Sequence, residues 1–155
     1  MNDEVKNVVL CGVGGQGTIL ASKILSSCLI DAGYDVKMSE IHGMSQRGGS
    51  VTTQVRYGKK VWSPIIGKGS ADVLVSFEKM EALRYLEDVK VSGATVIIND
   101  YAIQSLPILQ GVTDYPEDCV ERVKEKVENT KVVDATSVAA AIGNAKAANV
   151  VLMGA

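Results

Sequence analysis

The sequence predicts an α/β protein: a Rossmann-like, mostly parallel sheet with helices on both faces and a β-hairpin excursion. Three observations carry this reading. Short apolar runs alternate with segments of helical spacing between residues 7 and 134. A glycine turn, Gly12-Val-Gly14-Gly15-Gln16-Gly17, joins the first apolar run to the first helical segment. β-Branched residues alternate from Val51 to Tyr57, where nothing signals a helix.

The elements follow in order. Asn7–Cys11 is an apolar run that ends at glycine and reads as a buried strand. Residues 16–32 place Ile19, Leu20, Ile24, Cys28 and Leu29 at helical spacing, so these are the expected inner face of the first helix. Gly33 stops that helix, and Asp35–Ser39 restarts as a strand, giving an opening βαβ unit. Val51–Tyr57 is the next strand, and Gly58-Lys59-Lys60 is expected to turn it back into Val61-Trp62 as a hairpin. Asp72–Phe77 is a further buried strand, followed by a helix over Glu78–Asp88 with Met80, Leu83 and Leu86 inward. Glu78 and Glu81 sit favourably for the dipole of that helix. Ala94–Asn99 is another strand. In the loop around Pro107 and Gly111, Ile103, Leu106, Ile108 and Leu109 are apolar enough to cover the sheet or a partner. Glu117–Glu128 reads as a charged surface helix packed through Cys119, Val120, Val123 and Val127. Lys131–Asp134 is a short strand, and Thr136 is the expected cap of the Ala-rich helix after it.

A chain of 155 residues with 46% apolar side chains is expected to form one domain over 1–155 and to bury roughly two-thirds of its unfolded surface. The apolar end, Val150 to Ala155, predicts a natural chain that runs on past Ala155, or a tail that docks. A net charge of −2, with Lys and Glu interleaved, provides no basic field for a nucleic-acid partner. Nothing resembles a leader peptide or approaches the ~20 apolar residues of a membrane span, so no membrane partner is expected and the reading is cytoplasmic. Cys11, Cys28 and Cys119 are odd in number and widely spaced, which suits reduced thiols rather than disulfides or a CxxC site.

The chemistry is concentrated in two polar stretches. Ser39 to Ser50 carries three glycines, Arg47 and the single histidine, and almost nothing that packs. It follows a strand and lies near the glycine turn, so the two loops are expected to share a crevice. The G-x-G-x-x-G spacing of Gly12, Gly14 and Gly17 leaves backbone N–H groups and a helix N-terminus open to an anion. Three readings stay open: a phosphate-bearing ligand, NAD or flavin with Glu40 at the ribose, or glycines that serve tight packing. His42 has no nucleophile beside it in sequence and one histidine makes a weak metal site, so no catalytic or metal residue is assigned. Arg47 suits a phosphate clamp or a salt bridge within the loop, and Gln16 and Ser45 suit ligand donors or backbone partners. Trp62-Ser63-Pro64 suits an edge cover or an interface anchor.

Taken together, Gly12–Gly17, Ser39–Val51, Ser63-Pro64, Ala71–Leu74 and Glu81–Arg84 resemble the gamma-type subunit of 2-oxoacid:ferredoxin oxidoreductases. The His42–Gly49 wording is most similar to the indolepyruvate members. The resemblance covers nearly the whole chain. It implies a complex that decarboxylates an aryl 2-oxoacid on thiamine diphosphate, sends electrons through iron-sulfur clusters to ferredoxin and releases an acyl-CoA. The chain has no Gly-Asp-Gly signature and too few cysteines for a four-cysteine cluster, so those centres are expected in a large partner subunit. For this chain, inactive alone, the resemblance implies the coenzyme A side of the site. Gly14, Gly15 and Gly17 would form the phosphate cradle beside Gly12 and Gln16, with Ser45, Gln46, Arg47 and Gly48 on ligand or partner.

Overall fold

A computed structural model describes residues 4–42 and 48–155; Ser45, Gln46 and Arg47 lie outside the described residues, as does the His42 side chain. The strands are β1 (Lys6–Val13), β2 (Asp35–His42), β3 (Ser50–Gly58), β4 (Val73–Ser76), β5 (Thr95–Asn99) and β6 (Thr130–Val133). The helices are α1 (Thr18–Asp31), α2 (Lys79–Arg84), α3 (Leu106–Leu109), α4 (Cys119–Lys126), α5 (Ala135–Ala141) and α6 (Ala148–Met153). The strands form one sheet in the order β2-β3-β1-β4-β5-β6. β1, β4, β5 and β6 run parallel. β3 is antiparallel to both β1 and β2.

The expected α/β sheet is therefore present, but the antiparallel excursion has other partners. Val61-Trp62 forms no strand; β3 instead inserts between β1 and β2, so the opening βαβ strands are not neighbours. The first half of β3 is buried on both faces, as an interior strand requires. Val61 is buried and donates its N–H to Asp35 Oδ2 at 2.9 Å, which pins the returning chain to the start of β2, while Trp62 stands 87% exposed.

Alternate residues of β1 feed two cores. Val9 and Cys11 pack with Leu74, Val96 and Ile98 under α2 and α4, through Ala82 and Val123. Val8 and Leu10 pack with Val55, Val75 and Phe77 under α1, α5 and α6, through Ala21, Ala135 and Leu152. The inner face of α1 differs from the expected one. Thr18, Ala21 and Ser22 face the sheet with Leu25 and Leu29 beside them, whereas Leu20 and Ile24 are 55% and 41% exposed. The short side chains let α1 approach closely, which the glycine turn just before it requires. α5 is capped by Asp134, whose Oδ1 accepts the Ser137 N–H at 3.0 Å, and not by Thr136. No helix among the described residues is long and apolar enough to cross a membrane.

Asp35 gives the fold a readable acid response. The hydrogen bond from Lys37, then the Val61 N–H, hold its carboxyl at about 2, below the ordinary 3.8. A depressed carboxylate stabilises the fold above its unfolded value and loses that contribution as pH falls through its folded value. The stability difference between wild type and Asp35→Asn, followed by urea midpoints, is expected to be constant above pH ~5 and to shrink from there toward pH ~2.

Candidate functional site

The carboxyl ends of β1 and β4 lie side by side, and their following helices leave to opposite faces of the sheet: α1 with the second core, α2 with the first. A crevice at such a point is where open α/β sheets receive ligands. The glycine turn sits here because β1 must reverse within four residues into α1. Gly15 and Gly17 adopt φ of +106° and +81°, which glycine reaches without strain. A Cβ on Gly12 would come within 2.9 Å of Phe77 Cβ, so that glycine answers to packing.

The turn is held from three sides. Gln16 uses its amide on the backbone: Oε1 accepts the Val13 N–H at 2.7 Å, and Nε2 donates to the Phe77 carbonyl at 2.8 Å. From the motif loop, the Gly14 N–H donates to the Gly49 carbonyl at 2.8 Å and the Gly48 N–H to the Gly14 carbonyl at 3.4 Å. The two glycine stretches thus meet, as their sequence positions led us to expect. From α6, Asn149 Nδ2 donates to the Gly17 carbonyl at 3.4 Å.

A cavity opens on each side of the turn, and Gly15 and Gly17 line both. One, about 410 Å³, runs over Thr18, Ile19, Glu40 and Val51. The other, about 450 Å³, is walled by Phe77, Asn99, Tyr101, Thr136, Lys146 and Asn149. Among the described residues the N–H groups of Gly15 and Gly17 have no acceptor, and α1 has no side-chain N-cap. This leaves the positive end of a 14-residue helix facing the crevice. A larger cavity of about 780 Å³ lies between Val91–Ala94 and Lys124–Asn129. It adjoins the amino-terminal ends of β5 and β6, away from the carboxyl-end crevice.

Sequence reasoning missed the second wall. Asn99 ends β5 and is 2% exposed; its Nδ2 donates to Phe77 O at 3.2 Å and Thr136 Oγ1 at 3.0 Å, and its Oδ1 accepts the Ala135 N–H. Polar residues at the carboxyl ends of parallel strands were the available signal. Glu40 lines the first cavity and lies 4.0 Å from Lys23. With β3 inserted, however, β2 stands two strand spacings, about 10 Å, from β1 rather than one, which removes the adjacent carboxylate of a dinucleotide fold. No cluster of three potential metal ligands occurs among the described residues. Burial pushes the Cys11 thiol well above its usual range, in keeping with an inert core residue.

A family model described as pyruvate ferredoxin/flavodoxin oxidoreductase matches residues 7–155. The chain belongs to this family. An indolepyruvate oxidoreductase subunit IorB of Pyrococcus horikoshii is 41% identical over 152 residues, 96% of this chain and 75% of that protein. Two solved structures share the fold of the pyruvate ferredoxin/flavodoxin oxidoreductase chain described here. Pyruvate oxidoreductase subunit PORC of Thermotoga maritima aligns with a TM-score of 0.69 and 21% identity, covering 97% of this chain and 74% of its own. A 2-oxoglutarate:ferredoxin oxidoreductase of Magnetococcus marinus, with 2-oxoglutarate, coenzyme A and succinyl-CoA bound, aligns at TM-score 0.69 and 16% identity, over 97% of this chain and 23% of its own. The resemblance read from the glycine turn and from residues 39–51 is therefore correct at the level of family and fold.

Proposed function

We propose that this protein is the small, non-autonomous subunit of an indolepyruvate ferredoxin oxidoreductase, and that its glycine turn holds the diphosphate of coenzyme A. The observation that carries the reading is the two-way backbone clamp between Gly14 and Gly48-Gly49. It sets the motif loop beside a turn whose N–H groups and helix dipole suit an anion. Identity of 41% to an indolepyruvate oxidoreductase subunit supports the substrate class. The Magnetococcus enzyme, one chain of which shares the fold, has been solved with coenzyme A bound.

The residues fit the group. Gly15 and Gly17 offer backbone donors, and a Cβ at Gly15 would meet nothing within 4 Å, so the turn leaves room for a diphosphate. Lys146, on the second wall, offers a cation for a further phosphate. When bound, coenzyme A supplies the thiol that accepts the acyl group. The protein's own part is to bind the nucleotide end and orient the chain, with Ser45, Gln46, Arg47 and Gly48 as contacts to ligand or partner. Thiamine diphosphate and the iron-sulfur clusters belong to a large partner subunit, through which ferredoxin is reduced, in the cytoplasm.

Gly15 provides the test, by calorimetric titration of the assembled complex with coenzyme A. Gly15→Ala adds mainly backbone strain, whereas Gly15→Trp also fills the crevice. The tryptophan variant is expected to weaken binding at least ~30-fold and the alanine variant only a few-fold, since ~1.4 kcal/mol corresponds to a factor of ten. An unchanged affinity in Gly15→Trp would exclude the cradle. Tight NAD binding, or full turnover by the isolated chain, would exclude the subunit reading.

A further inference from the structure

We propose that Glu81 is a positioning residue that acts through Ser50 to hold the returning limb of the motif loop against the glycine turn. Glu81 is 2% exposed, in the first turn of α2, and that helix is already capped by Glu78. Its carboxylate is turned toward β3. Oε2 accepts from Ser50 Oγ at 2.5 Å and Oε1 from Arg84 Nε at 3.0 Å. Tyr85 places its hydroxyl 3.0 Å from the same Ser50 oxygen. Ser50 is the first residue of β3 and pairs with Val13, the last residue of β1.

The next residues along both chains are the clamp itself, Gly49 and Gly48 on one side and Gly14 on the other. A short path therefore runs from a buried side chain of α2 to the backbone of the anion turn: a hydrogen bond from Ser50 to Glu81, the peptide link from Ser50 to Gly49, and a hydrogen bond from Gly14 to Gly49. A carboxylate is an expensive way to fill a buried helix position, because its desolvation offsets what its partners return. Ala82, its neighbour, fills the same layer without a charge. The carboxylate is explained by what it grips. Gly48 and Gly49 have no side chains, so Ser50 is the first residue after them that can be held by one.

The consequence for coenzyme A rests on the function proposed above; the clamp does not. The experiment therefore has two readouts on the assembled complex. In Glu81→Ala, amide exchange at Gly14 is expected to accelerate at least ~10-fold, the loss typical of one local hydrogen-bonded contact. Ser50→Ala should act in the same direction, and it carries the test should Glu81→Ala fail to fold. Glu81→Gln retains an acceptor for Ser50 and should restore most of the protection, which a residue needed only for its charge would not predict, whereas Glu81→Leu keeps bulk without an acceptor and should not restore it. In steady-state kinetics, KM for coenzyme A should rise ~10-fold while kcat and KM for the 2-oxoacid stay within about twofold. Unchanged Gly14 exchange in folded Glu81→Ala and Ser50→Ala overturns the proposal. Faster exchange with an unaltered KM for coenzyme A upholds the clamp and counts instead against the cofactor assigned to the turn.

Discussion

Replacing Glu78 with leucine is expected to destabilise the protein by about 4 kcal/mol, on the scale of breaking a buried, fully hydrogen-bonded carboxylate site. Glu78 is 0% exposed and gathers three donors. Oε2 accepts the Glu81 N–H at 2.9 Å, and Oε1 accepts the Tyr115 hydroxyl at 2.6 Å and the Ile103 N–H at 3.1 Å. One side chain thus caps α2 and ties down the chain between β5 and α4, which has little regular structure beyond the four residues of α3. Leucine fills the volume but strands all three donors, and each buried unsatisfied group costs about 1–3 kcal/mol. Glu78→Gln keeps one oxygen acceptor and should cost about 2 kcal/mol less than leucine. In differential scanning calorimetry the leucine variant should melt roughly 12 °C lower, given about 2–4 °C per kcal/mol for a chain of this size. A shift of only a few degrees would show that the 100–115 segment does not depend on this anchor. Tyr115 gives a second view: burial, then the Glu78 contact, raises its phenol above the usual range, so its spectroscopic titration should move down in Glu78→Gln.

The second large effect is at Gly17. Alanine there must adopt φ +81°, and its Cβ would come within 2.7 Å of Asn149 Nδ2. The left-handed conformation costs about 1 kcal/mol, and displacing a buried amide with loss of its bond to the Gly17 carbonyl adds about another 1 kcal/mol. Gly33 separates the two. It has φ +88° with nothing within 4 Å of its Cβ, so Gly33→Ala carries the strain alone. Urea unfolding should place Gly33→Ala at about half the cost of Gly17→Ala, and Asn149→Ala should cost less in the Gly17→Ala background than in wild type. Equal costs for the two glycine variants, with additive behaviour of Asn149→Ala, would mean that α6 does not grip the turn.

How legible was this molecule in its sequence? The five apolar runs at Asn7, Asp35, Asp72, Ala94 and Lys131 all became strands, because runs of that length flanked by turn residues have few alternatives. The path of Val51–Tyr57 was not legible. Alternation announced a strand, but period two says nothing about which neighbours it takes, and Gly58-Lys59-Lys60 offered a plausible local turn while the true partners lay on either side in β1 and β2. The α1 face was misassigned for a physical reason too. Leu20 and Ile24 are the larger apolar side chains, yet close approach to the sheet selects Thr18, Ala21 and Ser22, leaving the larger ones outward. At the site, the glycines and the motif loop were visible as local sequence signals. Asn99, Lys146 and Asn149 were not, since only the fold carries them to the turn. The pairing of Glu81 with Ser50 was hidden for the same cause, with helix-dipole placement a sufficient local account of the glutamate.

The bond between Asn149 and Gly17 spans 132 residues of chain. During synthesis at roughly 5–20 residues per second, the turn leaves the ribosome about 7 to 26 seconds before the residue that seats it. β1 cannot wait unpaired for its final surroundings: β3, its partner on one side, arrives early, and β4 on the other soon after. The nascent chain thus makes its turn between strand and helix early and the α6 contact that seats it late. A chain made only as far as α5 carries the glycine turn without the Asn149 contact that holds it, so a feature encoded early is seated late.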